Sequence, residues 1–258
     1  MKTRRNQVEI KMPPEEEKQL TLIEHIEELR RRLLVALVAL AIGVIASLFF
    51  SQKVVEYLAI PIGGLQNLQS IEITENVGVY MKVSLLCGII LAFPVIIYEL
   101  LMFILPGLKP NEKRMVIGAI PFVTIFFLGG VAFAYLIMLP SALPFLTEFL
   151  GVETNPRLSS YTNFVTNLIF WVGVSFELPL LIYLLARFGA VTPRNLLKFW
   201  RQAIVLIAIL AAIITPTVDP VNMSLMMLPL ILLYFLSILF AWFAQRGRKK
   251  QDQGNTES

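Results

Sequence analysis

The sequence predicts an all-α integral membrane protein of six kinked spans, with both ends on the same side. Three observations carry this. Hydrophobic residues make up 57% of the chain and charged residues only 16%, against about 25% in soluble domains, so it cannot be wrapped around one aqueous core. The apolar residues gather in six runs, 33–50, 83–105, 115–139, 164–186, 203–214 and 225–243. The basic residues concentrate in alternate connections between those runs.

The first run is entered through a charged amphipathic helix. Leu22, Ile23, Ile26, Leu29 and Leu33 form one stripe at helical spacing. Thr21 with Glu24 makes a capping box. Glu27→Arg31 and Glu28→Arg32 are i,i+4 pairs in the favourable order. Arg30, Arg31 and Arg32 stand at the mouth of the apolar run and anchor it on the cytoplasmic side.

Runs two, three and four exceed the roughly 20 residues a span requires, and runs one and six approach it. The fifth has twelve residues and reaches only about 18 Å. It must borrow the turn holding Arg201 and Gln202, let Arg201 snorkel, or sit in thinned bilayer. Charge requires that it span. With both termini inside, the segment through Arg32 carries eight Lys and Arg, and the 2–3 connection carries Lys109, Lys113 and Arg114. The 4–5 connection carries Arg187, Arg194, Lys198 and Arg201, and the C-terminal segment Arg246, Arg248, Lys249 and Lys250. Outside remain Lys53, Lys82 and Arg157, among Glu56, Glu72, Glu75, Glu148, Glu153 and Asp219. Every connection obeys the positive-inside rule.

Residues 51–82 and 140–162 are long outer loops, too apolar in places to be free, and short interfacial helices should cap the outer face. Pro94, Pro121, Pro179 and Pro229 interrupt the spans. Each removes a backbone hydrogen bond and should bend its helix, which favours a concave wall over a tight bundle. Residues 1–19 read as a disordered cytoplasmic tail, 20–243 as the membrane domain and 244–258 as a polar cytoplasmic tail. Arg4-Arg5 is not followed by the apolar core of an export signal.

The chain has one Cys, Cys87, and one His, His25, so metal, disulfide and CxxC redox chemistry are unsupported. No nucleotide-binding or hydrolytic motif is present, and nothing supports an enzyme or a cofactor. The basic residues lie at helix ends without interleaved aromatics, which argues against nucleic acid.

Two acids lie within spans: Glu177 deep in the fourth and Glu99 nearer the cytoplasmic boundary of the second. A charge at such depth costs at least about 2.5 kcal/mol. No Lys or Arg lies in any apolar run to pair with Glu177. It is protonated, hydrogen-bonded across helices, or facing a wet cavity. The turn 105–114 presents Glu112 among Lys109, Lys113 and Arg114. Glu112 and Glu28 are two cytoplasmic acids in a basic surround, fitted either for local neutralisation or for a cationic peptide. On the residues alone, a proton-coupled transporter using Glu177 and a purely structural assembly protein are rival readings.

The ordered motifs resemble one family. His25-Ile26-Glu27-Glu28-Leu29-Arg30-Arg31-Arg32-Leu33 is similar to its N-terminal pattern. Ala92-Phe93-Pro94-Val95-Ile96-Ile97-Tyr98-Glu99 is similar to its second span, and Phe103-x-x-Pro106-x-Leu108 with Glu112-Lys113-Arg114 to its first cytoplasmic loop. Ala132-Phe133-Ala134-Tyr135 is similar to the third span, Gly173-Val174-Ser175-Phe176-Glu177-Leu178-Pro179 to the fourth, and Thr215-Pro216 with Asp219 to the last outer turn. Together they resemble the TatC family, the multi-spanning receptor subunit of the twin-arginine protein translocase.

The resemblance implies a six-helix, glove-like fold in the cell membrane with cytoplasmic termini, working as an oligomer among membrane lipids. It implies that Glu28 and Glu112 receive the arginine pair of a twin-arginine signal peptide on a folded substrate, and that Arg30 and Phe103 shape that surface. The resemblance implies that Glu177 faces the concave interior, near the signal peptide or a partner helix; Glu99, by its place within a span, is a second candidate for a functional intramembrane acid. TatA-type and TatB-type single-span subunits are the implied partners, and the proton gradient the driving force. Thr215, Asn222 and Ser224 are the implied partner-helix contact, although Met223 stands where a glutamine is expected.

Overall fold

The computed structural model describes residues 22–107, 110–148, 156–214 and 220–254. Thr21, the tail 1–19 and Thr215 lie outside the described residues. Ten α-helices are seen among those residues: α1 (Leu22–Leu48), α2 (Ser51–Ala59), α3 (Glu75–Ile104), α4 (Pro110–Phe133), α5 (Leu139–Glu148), α6 (Leu158–Ser175), α7 (Leu178–Phe188), α8 (Pro193–Lys198), α9 (Trp200–Ile214) and α10 (Pro220–Gly254). By length and composition five helical stretches can cross a membrane, and the apolar helix at 200–213 is shorter. Large apolar side chains on their outward faces are exposed, Leu37, Val38, Ile42 and Ile45 of α1 among them, as a lipid solvent permits.

The charged amphipathic segment and the first apolar run form one continuous helix, α1. The short fifth run does borrow a turn: α9 begins at Trp200 and includes Arg201 and Gln202, and the Arg201 guanidinium lies 5.6 Å from the Trp200 ring centre. Several boundaries differ from expectation: α6 begins at Leu158 rather than near 164, and α10 runs from Pro220 to Gly254, past the predicted 225–243 and into the predicted polar tail. α3 begins at Glu75 rather than near 83, so Lys82 lies within a helix, where its amine donates to Asn163 Oδ1 of α6 at 2.5 Å. The third run does not end near 139. It passes through a π-helical turn, Ala134–Met138, straight into α5. The first loop does carry short helices, α2 and single 3₁₀ turns at Ile60–Ile62 and Leu65–Asn67.

The prolines act unequally. α3, α4 and α10 continue through Pro94, Pro121 and Pro229. The fourth span breaks at Phe176–Glu177, immediately before Pro179. Pro179 has no N–H for the Ser175 carbonyl, and its ring crowds that carbonyl. The chain tightens instead, with Glu177 N donating to Val174 O at 3.1 Å, and helix resumes when Leu181 N donates to Glu177 O at 2.8 Å.

α1 packs antiparallel on α3 along a seam of small residues. A Cβ on Gly43 would stand 2.6 Å from the Gly88 carbonyl oxygen, and one on Gly88 would stand 2.7 Å from the Val44 backbone. Ser47, Ser51 and Ser84 are fully buried beside them. Ser47 Oγ donates to Ser84 O at 2.6 Å, and Ser84 Oγ to Ser51 Oγ at 2.7 Å. Small residues allow backbones to approach, and hydroxyls satisfied across the seam hold them there.

At the far end, away from the α1 start, Glu75 ties the outer segments together. Its carboxylate accepts from Arg157 Nε at 3.1 Å, Ser159 N at 2.7 Å and Ile71 N at 2.9 Å. Arg157 Nη2 also meets Glu72 at 2.7 Å, and Gln69 pairs with the 156–158 backbone. Tyr161 donates to Leu58 O and Tyr135 to Tyr57 O.

Gly88→Val forces a side chain into the α1 backbone and should cost about 1–3 kcal/mol or more by overpacking. Gly118→Ala, where an added Cβ meets nothing within 4 Å, should be near neutral. Thermal unfolding of the two variants in detergent tests the contrast, and equal behaviour would refute the seam.

Candidate functional site

The α1–α3 register decides what meets at the basic end, where α1 starts and α3 finishes. Arg32 lies eleven residues before Gly43, and Glu99 eleven after Gly88. Eleven residues are three helical turns, so both return to the seam face. Arg32 Nε and Nη2 donate to Glu28 Oε1 at 2.9 and 2.6 Å, and Nη1 donates to Glu99 Oε2 at 3.0 Å. One guanidinium thus joins two carboxylates from different helices. The side chains of Arg32, Glu28 and Glu99 are 21%, 21% and 15% exposed, so solvent does not simply substitute for any of them.

Around this pair opens a cleft of about 780 Å³ lined by Glu24, Glu27, Glu28, Arg31, Arg32, Val35, Tyr98, Glu99 and Pro106. Four carboxylates face two guanidiniums, so the cleft is formally anionic although the protein is basic. One turn beyond Glu99, Phe103 stacks on His25 of α1, with ring centres 4.3 Å apart and planes 15° from parallel. That contact closes the α1–α3 pair at its end.

The predicted residues separate. Glu28 and Glu99 line this cleft, and Phe103 lies one turn beyond Glu99 against His25. Arg30 is exposed on α1. Glu112 lies in the first turn of α4, six residues beyond Pro106, and does not line the cleft. The expected Glu28→Arg32 pair forms, while Glu27 and Arg31 make no ion pair with each other. Glu177 lies elsewhere, at the break between α6 and α7. α6 presses on α4 there: Gly173 abuts the fully buried Phe127, and Phe176 packs against Phe133 with ring centres 5.4 Å apart. Glu177 Oε1 is buried without a hydrogen-bond partner among the described residues. Ser224 is exposed on α10. Met223 turns into the main apolar cluster. The Asn222 side chain lies outside what the structure describes.

Sequence reasoning missed Arg32 as the bridge and His25 as the partner of Phe103. The one signal available was the matched three-turn spacing on both helices, which requires the register to be known.

Several apolar crossing helices with a charged cleft at one end define a multi-pass membrane protein. The family model described as "Sec-independent protein translocase protein (TatC)" matches residues 24–229. A Sec-independent protein translocase protein TatC of Carboxydothermus hydrogenoformans is 34% identical over 88% of this chain and 95% of its own. That of Aquifex aeolicus is 37% identical over 90% of this chain and 98% of its own. A crystal structure of "Twin Arginine Translocase Receptor- TatC" superposes with a TM-score of 0.76 at 36% identity, covering 86% of this chain and 99% of that one. This chain belongs to the TatC family. It is a membrane-embedded protein-translocase component and not an enzyme.

Glu99→Gln keeps the shape of the cleft but replaces a charge-assisted bond with a neutral one, a loss of about 1 kcal/mol. Amides of residues 24–32 should then exchange faster with deuterium, while those near Glu75 and Arg157 stay protected. Unchanged exchange at 24–32 would show that Arg32 does not tie α1 to α3.

Proposed function

We propose that this chain is the signal-recognising core of a twin-arginine translocase in the cytoplasmic membrane, with both termini in the cytoplasm. The positive-inside distribution supports that orientation. The observation that carries the reading is the anionic cleft, an acid-lined pocket in an otherwise basic face, formed by elements that carry the family's motifs. Glu28 and Glu112 receive the two arginines, with Glu99 beside Glu28. Arg30 and the ring of Phe103 shape the approach. Arginine suits this task because its planar fork engages a carboxylate through two hydrogen bonds, whereas lysine offers a point charge.

The apolar part of the signal then lies along the membrane-embedded wall toward Glu177. A buried carboxyl oxygen lacking a partner is a hydrogen-bond acceptor awaiting one, which supports a contact there with the signal or a partner helix. TatA-type and TatB-type single-span subunits assemble on the chain. Thr215, Asn222 and Ser224 are the proposed TatB-type contact, and the proton gradient drives transport of the folded substrate.

A twin-arginine signal peptide should bind the purified protein in nanodiscs more tightly than its Lys-Lys counterpart, by about 1–3 kcal/mol. Glu112→Ala should abolish export of twin-arginine substrates while leaving the protein folded in the membrane. Glu177→Gln should be milder, since the amide still hydrogen-bonds. Normal export by Glu112→Ala would remove that residue from the site, and a complete block by Glu177→Gln would mean that its ionisation is essential.

A further inference from the structure

The cleft already holds an arginine. Arg32 places three N–H donors on one oxygen each of Glu28 and Glu99, at 2.6 to 3.0 Å. These are charge-assisted bonds of the kind that an incoming guanidinium would make. We infer that Arg32 is a tethered competitor for the cleft's acid pair, which a ligand's arginine must displace, and that this competition raises the intrinsic affinity a ligand needs, so that one arginine or two lysines fall short where two arginines suffice. The inference rests on the receptor reading proposed above.

Ligand binding here is an exchange of partners. Glu28 and Glu99 are largely withdrawn from water, and a carboxylate left there without a partner pays its full desolvation cost. Arg32 removes that cost in the protein by itself. A single ligand arginine that takes its place breaks one set of charge-assisted bonds and makes an equivalent set, so the swap is close to balanced. A lysine makes a worse exchange, because an ammonium cannot reproduce the planar fork. Net binding must then come from a second group. On the receptor reading that group is the second arginine, received by Glu112 of α4 beyond the cleft that Arg32 occupies. The built-in rival sets a threshold that weak ligands do not cross.

The helix geometry permits displacement. Arg32 is tied to Glu28 by an i,i+4 contact on its own helix and to Glu99 across the seam. Its long stem can swing toward the exposed side of α1 without disturbing the Gly43–Gly88 contact three turns away. Arg32 is therefore a threshold-setting residue, distinct from the acids that hold the ligand.

The test is binding of matched Arg-Arg, Arg-Lys and Lys-Lys signal peptides to the full-length protein in nanodiscs, as wild type, Arg32→Gln and Arg32→Lys. Arg32→Gln should bind the Arg-Arg peptide on the order of tenfold more tightly, the worth of one charge-assisted bond no longer contested. The Lys-Lys peptide should gain by a similar factor, so that both peptides shift together. Arg32→Lys should fall between. Equal or weaker binding of the Arg-Arg peptide by Arg32→Gln would overturn the inference and leave Arg32 a purely structural tie. Should Arg32→Gln fail to fold, Arg32→Lys decides alone by the same criteria. Wild-type protein that binds no peptide, with both variants equally silent, would instead refute the receptor reading on which the inference rests.

Discussion

The close approach of α1 and α3 at Gly43 and Gly88 is the constraint on which the rest of the site depends. A side chain at either position would drive the helices apart. The buried serines then convert proximity into a fixed register, because every hydroxyl finds a cross-helix or same-helix acceptor in reach. In lipid there is no hydrophobic force to press two apolar helices together, so small residues and satisfied hydroxyls carry the association. Register set at the seam is transmitted along two stiff rods. Three turns away it places Arg32 opposite Glu99, and a turn further Phe103 against His25. The charged cleft is thus a consequence of packing among uncharged residues in the middle of the membrane domain.

The fourth span shows the opposite economy. Regular helix would satisfy every backbone group, yet the chain breaks at Phe176–Glu177 and, among the described residues, leaves a buried carboxyl oxygen without a partner. Pro179 accounts for the break. It does not account for Glu177, whose buried Oε1 carries a desolvation cost that no hydrogen bond among the described residues offsets. At the far end, by contrast, Glu75 is nearly inaccessible but accepts backbone and guanidinium hydrogen bonds from several sides. The two glutamates differ in how burial is met: Glu75 is satisfied by the fold, while Glu177 Oε1 has no hydrogen-bond partner among the described residues.

Much of this was legible in the chain. Apolar runs and alternating basic connections located the six helical stretches, because crossing a membrane demands length, low charge and backbone self-sufficiency, all local properties. The Glu28→Arg32 pair and the need of α9 for its Arg201 turn followed from helix periodicity and rise. Other features were misread for physical reasons. The polar start of α3 at 75–82 resembles a loop until Glu75 is seen capped by Arg157 from another segment. The run-on of α4 into α5 through a π-helical turn is invisible to a hydropathy boundary. Proline marks where a helix can bend, but neighbours decide whether it does, and only Pro179 of the four coincides with a break.

By itself the sequence determined the class of protein, the number of apolar helical stretches and the acids worth watching, Glu28, Glu99, Glu112 and Glu177. Each of these is encoded in residues close together along one helix, where spacing translates directly into geometry. Only the tertiary structure decided that Glu28 and Glu99 share a guanidinium, that His25 supports Phe103, and that Glu112 stands apart from their cleft. Those relations join residues 67 or more positions apart, and they hang on an antiparallel register set by two glycines and three serines. No local pattern announces that register, because the residues that create it are small, uncharged and chosen for what they leave out.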